Sequence, residues 1–170
     1  DRGRASTLRT ALGFRTLHWK RLSAFLEFED VHDLGLGNEH NNLGAGSLWN
    51  GVDDRPVIAD PELTEINQVY LDWKPAGSLP IRGGRQEIMG DNSRFIGNVR
   101  SRQNHQSFDA GMIHYNGINN VSLGATYIGR QRTVTGADRE MSTTHLDGEF
   151  KLGGAGKLRA YWLSVDFDQE

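Results

Sequence analysis

Arginines at intervals along one stretch are the first chemistry this sequence offers. Between Leu79 and Gln106 lie Arg82, Arg85, Arg94, Arg100 and Arg102, against the acids Glu87 and Asp91, in a chain whose formal net charge is −3. A guanidinium presents a rigid fork of donors that pairs with a carboxylate through two bonds at once, so spaced arginines suit a path for an anionic solute. A path must also let go of what it holds, and Glu87 and Asp91 would orient the forks and moderate their pull. The competing reading is structural: a long connection tied down by arginines that bond backbone carbonyls and acid partners. A second charged set lies nearer the start, where Arg9 and Arg15 share one side of a predicted hairpin with Glu27 and Glu29. That set reads first as a charge ladder across a sheet and only second as a selectivity device. With Asp109 added, the substrate-path candidates are Arg85, Arg94, Arg100, Arg102, Asp91, Arg9, Arg15, Glu27, Glu29 and Asp109.

Other chemistries are poorly served. The absence of Cys removes disulfide scaffolds, zinc ribbons and thiol nucleophiles. Carboxylate pairs that could serve a glycosidase arise by chance wherever acids alternate along strands, so no enzyme activity is expected. His145, Asp147 and Glu149 share one strand side at a spacing of two and could seat a divalent cation, but they suit the lining of a wet interior better. No metal or cofactor is expected. Gly156-Lys157 is followed by Leu158 where a phosphate loop needs a hydroxyl. A net negative charge with one arginine-rich stretch argues against a nucleic-acid partner.

The elements that must position these residues read as strands. In 7–16, Leu8, Thr10, Leu12 and Phe14 alternate with Arg9, Ala11, Gly13 and Arg15, the period of a half-buried strand. The same reading gives further strands over 22–29, 65–73, 81–88, 108–115, 121–130, 143–152 and 157–167, and no convincing amphipathic helix. Gly at 21 of 170 residues with only 4 Pro agrees with a strand-and-turn chain. The connections alternate between short (17–21, 74–80, 116–120, 153–156) and longer (31–63, 89–106, 131–141). In an up-and-down antiparallel sheet alternate connections share an end, so one rim carries tight turns and the other long loops, as in outer-membrane barrels.

Charge and hydropathy fit that architecture. No apolar run approaches the roughly 20 residues of a membrane-crossing helix. The mean hydropathy of −0.57 looks soluble, yet it is also what averaging a lipid side and a water side would give. Charged residues recur on the side of the strands away from the apolar one: Arg9, Arg15, Glu27, Glu29, Asp72, Arg85, Asp109, Arg130, Asp147 and Glu149. That side needs water, which means a lumen if the other meets lipid. Trp19 and Trp73 lie beside turns, where an interfacial girdle is expected. The chain opens on Asp1-Arg2-Gly3-Arg4 without a basic-then-apolar leader, so either a cytoplasmic chain or a mature or truncated product of something longer is expected. A soluble calyx or carbohydrate-binding sandwich would show the same alternation of strands.

Three stretches narrow the field. Residues 22–30 (LSAFLEFED), 57–72 (VIADPELTEINQVYLD) and 84–110 (GRQEIMGDNSRFIGNVRSRQNHQSFDA) together resemble the alginate-export family of outer-membrane porins. The resemblance implies an antiparallel barrel of about eighteen strands, in the bacterial outer membrane, with an arginine-lined passage for an anionic polysaccharide and with periplasmic export partners. This chain supplies about eight such strands. The expectation is therefore an all-β, antiparallel up-and-down transmembrane β-barrel, residues 1–170 forming a reduced barrel or part of a larger one. Its expected function is a porin that passes an anionic, alginate-like oligo- or polysaccharide by passive diffusion. The alternative is a soluble β-rich carbohydrate-binding module.

Overall fold

The alternation of the sequence folds as eight antiparallel strands in one sheet. The structure is a computed structural model describing residues 2–36, 39–42, 50–58, 60–90 and 95–167. The strands are β1 (Thr7–Arg15), β2 (Leu22–Asp33), β3 (Leu63–Ala76), β4 (Leu79–Gln86), β5 (Ser107–Ile118), β6 (Val121–Arg132), β7 (Asp138–Lys151) and β8 (Lys157–Phe167). Their order in space is their order in sequence. β1 and β8 are the two ends of the sheet and do not pair with each other, so the sheet is open.

Register divides the sheet into two faces. Directly paired residues project to the same side, so Leu22, Trp73, Ile81, Ile113, Ala125, Leu146 and Trp162 form one unbroken row from β2 to β8. Leu12, Phe28 and Ile66 form a second row beside it. Among the described residues nothing covers this apolar face: Trp162 is 56 % exposed and Leu12 67 %.

The core lies on the opposite face. There Phe108 and Ala110 of β5, Ile128 of β6 and Met141 of β7 are buried together with Ile88 and Ile96, both from the β4–β5 connection, and Leu163 of β8 packs against them. Full burial of one such side chain is worth about 1.5–3 kcal/mol. The connection over 87–106 therefore acts as the second layer that a lone sheet otherwise lacks.

Strand ends depart from the periodicity in an informative way. β6 and β7 run on past their apolar stretches, pairing Arg130 with Glu140, Gln131 with Arg139 and Arg132 with Asp138. The predicted loop over 131–141 therefore shrinks to 133–137. Opposite charges facing each other hold this part of the ladder, where no apolar alternation signals it. β2 likewise continues to Asp33, paired with Thr7. The long connections that remain are 34–62 and 87–106, at the same end of the sheet.

Gly84 is a strand glycine whose place in the fold needs bare backbone. Its φ is +127°, and a Cβ there would stand 2.4 Å from the Val69 carbonyl oxygen and 2.8 Å from the Tyr70 Cα. The Tyr70 backbone thus packs against bare backbone. Gly84→Ala should destabilise the fold by about 2 kcal/mol or more. Gly83→Ala, where a Cβ meets nothing within 4 Å, should be neutral or mildly stabilising. Urea unfolding followed by circular dichroism separates the two, and equal effects would contradict this account of Gly84.

Candidate functional site

The covered face carries its charges in clusters, each built by a different set of strands. The first gathers where the 87–106 connection meets β1, β2 and β3. Arg9 donates to Glu29 at 2.5 Å, and His105 lies 3.3 Å from Arg9 and 3.0 Å from Glu87. The His105 backbone N–H donates to the other Glu29 oxygen at 3.1 Å. A bulge at Asn67, where β3 gains a residue against β2, turns that side chain inward. It is fully buried and donates to Glu27 at 3.1 Å and to Glu87 at 2.9 Å. Asn98 donates to the second Glu87 oxygen, and Gln68 donates to Glu27 at 3.0 Å while accepting from the Glu87 backbone.

Glu87 is the hub of this network. Burial pushes its carboxyl up, but hydrogen bonds from Asn98, His105 and Asn67, with the charge of His105, outweigh that and hold it below the usual carboxylate range. The ionised group fastens the connection to the sheet.

The second cluster lies towards the short-turn end, on β1 to β4. Arg15 donates to Asp72 at 3.0 Å and to the Tyr70 hydroxyl at 2.7 Å. Arg82 grips the same Asp72 with two bonds, at 2.6 and 3.1 Å. The Arg82 guanidinium stands 4.0 Å from the Tyr70 ring centre, and Arg15 stands 4.8 Å from that of Phe25. Two cations thus share one carboxylate above an aromatic floor, which leaves a local excess of positive charge. At the other end of the sheet, Glu149 is shared in the same way by Arg159 at 2.5 Å and Lys157 at 3.4 Å. His145 lies 3.7 Å from Asp147. With Glu149 engaged by cations, these three do not gather, and among the described residues no group of three or more His, Asp or Glu is placed to hold a metal.

A third set lies on the other face. Register sets Arg85 opposite Val69 and Asp109 opposite Arg85, which puts both on the apolar side at its long-loop end. Arg85 holds Asp109 with two bonds at 2.8 and 3.0 Å, and Arg130 reaches Asp109 at 3.9 Å and Glu140 at 2.5 Å. This ladder closes off the apolar surface. Arg132 runs on from it to Glu65 at 2.6 Å and Asp138 at 3.4 Å.

The sequence candidates are thus distributed over both faces. Arg9, Glu29 and Glu27 meet in the first cluster, while Arg15 turns to Asp72 rather than to the glutamates of β2. Arg85 and Asp109 pair on the apolar side, apart from the rest. Arg102 lies 3.8 Å from Asp60, and Arg100 stands at the surface of the connection. Asp91 and Arg94 lie outside the described residues. Tyr70, His105, Asn67 and Asn98 belong to the clusters and were not among the candidates; only Tyr70, two residues before Asp72 on the same strand side, carried a sequence signal. Comparison with family models, with curated proteins and with solved structures finds no match.

A carboxyl held below its ordinary value stabilises the fold while ionised. Its contribution is intact above about pH 4 and lost as the pH falls through the lowered value. Hydrogen exchange across 95–106, corrected for intrinsic rates, should therefore accelerate on acidification before exchange in β5 to β7 does. Glu87→Gln should loosen the same segment at neutral pH by about 1–3 kcal/mol and flatten its acid response. Simultaneous release of segment and strands would remove Glu87 as the fastener.

Proposed function

We propose that this chain forms wall of an outer-membrane channel, its apolar face against lipid and its charged face lining a passage for anionic solutes. The observation that carries the reading is the uncovered apolar face, continuous from β2 to β8 and bounded at one end by the Arg85–Asp109–Arg130–Glu140 ladder. A soluble sheet buries such a face; a membrane barrel turns it outward. The nine steps from Asp109 to Ile118 on β5 rise about 30 Å along the strand. Tilted by about 40°, they cover about 23 Å, close to the apolar band of a barrel. Trp19 and Trp73, both exposed and near the short turns, suit the lower interface.

The free edges of β1 and β8 bear on the same reading. Unpaired backbone groups are costly in hydrocarbon, so in a bilayer these edges would be joined to further strands. The solute follows from the polar face, where Arg15 and Arg82 outnumber the one acid they share, Asp72. Diffusion past such sites needs neither cofactor nor covalent step. The resemblance of 22–30, 57–72 and 84–110 to the alginate-export porins supports an alginate-like polyanion, a bacterial outer-membrane location and periplasmic export partners.

Neighbouring residues on β1 provide the test, because Ala11 and Leu12 point to opposite faces. Leu12→Arg should impair insertion into lipid vesicles by about 2–4 kcal/mol if the site lies near mid-bilayer, and Ala11→Arg far less. Brominated lipid should quench Trp73 and Trp162. A chain that stays monodisperse in plain buffer, ignores vesicles and tolerates Leu12→Arg would overturn the reading in favour of a soluble carbohydrate-binding module. In planar bilayers, Arg15→Ala combined with Arg82→Ala should lower the anion-to-cation permeability ratio, whereas Arg85→Ala should leave it nearly unchanged.

A further inference from the structure

The connection between β4 and β5 holds a feature that fastening the loop does not explain. Val99 has φ +54°, a left-handed conformation that a β-branched residue adopts at a cost of about 1–3 kcal/mol. The turn it makes, closed by the Arg102 N–H donating to the Val99 carbonyl at 2.9 Å, borders a cleft of about 430 Å³. Among the described residues Met89, Phe95 and Val99 are its apolar lining and Asn98, Arg100 and Gln106 its polar lining. Phe95 is 63 % exposed and Met89 52 %, and the Phe95 ring is steadied from one side by Tyr161, their ring centres 6.4 Å apart.

The polar lining is committed except at one residue. Asn98 donates to Glu87; Gln106 donates to the Gly97 carbonyl at 2.9 Å and accepts from Gln131 at 2.6 Å. Among the described residues Arg100 has no hydrogen-bond or ion-pair partner. Its neighbours on the candidate path differ in this: Arg85 is held by Asp109 and Arg102 stands 3.8 Å from Asp60.

An uncompensated guanidinium beside three apolar walls selects an anion with an apolar body. The volume lies within the roughly 300–1,000 Å³ of small-molecule sites. A uronate would bring hydroxyls that the committed amides cannot satisfy, and a bare inorganic anion would leave the walls wet. We infer that the cleft binds a small monocarboxylate with an apolar body, such as an arylalkanoate, its carboxylate on Arg100 and its ring against Phe95, Met89 and Val99. The site is separate from the polyanion path and stands whether or not the sheet's apolar face meets lipid.

Calorimetric titration of the purified chain with 3-phenylpropionate tests this. Saturable binding is expected, weakened at least tenfold when the carboxylate is replaced by the alcohol in 3-phenylpropan-1-ol, and at least tenfold when the apolar body is replaced in glucuronate. Arg100→Gln, at an exposed position, should lower the affinity at least tenfold without disturbing the fold. Arg139→Gln, an exposed arginine on β7, should not change it. Absence of saturable binding at millimolar ligand, equal binding of the alcohol or of glucuronate, or an unaltered affinity in Arg100→Gln would each overturn the proposal. None of these outcomes depends on vesicle insertion, so the two readings fail separately.

Discussion

A sheet of eight strands has two faces, and among the described residues this chain covers only one of them from within. That constraint orders the rest of the structure. Alternation gives each strand an apolar and a polar side, register lines the sides up, and among the described residues the connection of about twenty residues between β4 and β5 supplies the apolar cover of the core. It folds over the polar side, bringing Ile88 and Ile96 onto Phe108, Ala110, Ile128 and Met141. The small core and the fastening network are therefore one construction: the isoleucines supply burial and Glu87 supplies position. The apolar side is left to whatever surrounds the molecule, which makes the environment part of the fold.

The fastening network shows why position needs so many partners. Carboxylates taken out of water are tolerated only when their oxygens are satisfied. Glu29 is fully buried, and it receives the Arg9 guanidinium on one oxygen and the His105 backbone on the other. Glu87 receives Asn67, His105 and Asn98. These donors come from strands and from the connection itself, so no single element can leave without stranding a charge. A loop held this way has one placement, whereas one held by apolar contacts alone could slide.

What could be read in the sequence follows from this division. All eight strands show wherever one side is apolar, because a period of two needs contrast between the sides. Strand ends do not show where charges face charges: nothing in Arg130-Gln131-Arg132 or Asp138-Arg139-Glu140 distinguishes a paired ladder from a polar loop. The side taken by Arg85 is only partly legible. Ile81 marks the side of Arg85 by period two, but Gly83 and Gly84 between them carry no contrast, and pairing with Val69 and Asp109 fixes it. The inward fold of 87–106 rests on contacts such as His105 with Glu29, 76 positions apart. No local pattern encodes those. The arginine-rich stretch is visible as composition, but its division into a structural rung at Arg85, a tethered Arg102 and an Arg100 without a partner among the described residues depends on long-range contacts.

The net charge of −3 hides how the charges work. Anion attraction depends on local stoichiometry within about a Debye length, roughly 8–10 Å at moderate salt, and not on the total. On the polar face Asp72 is shared by Arg15 and Arg82, which leaves a local positive remainder while both cations stay oriented; Glu149 is likewise shared by Arg159 and Lys157. Sharing also limits the remainder at Asp72 to about one charge, which under the proposed channel reading would favour an anion yet release it. The acids that make the total negative include Asp53 and Asp54 in the 34–62 connection, whose side chains are exposed to solvent, so bulk water screens them. A chain acidic overall can in this way present a basic surface to a solute that meets only one of its faces.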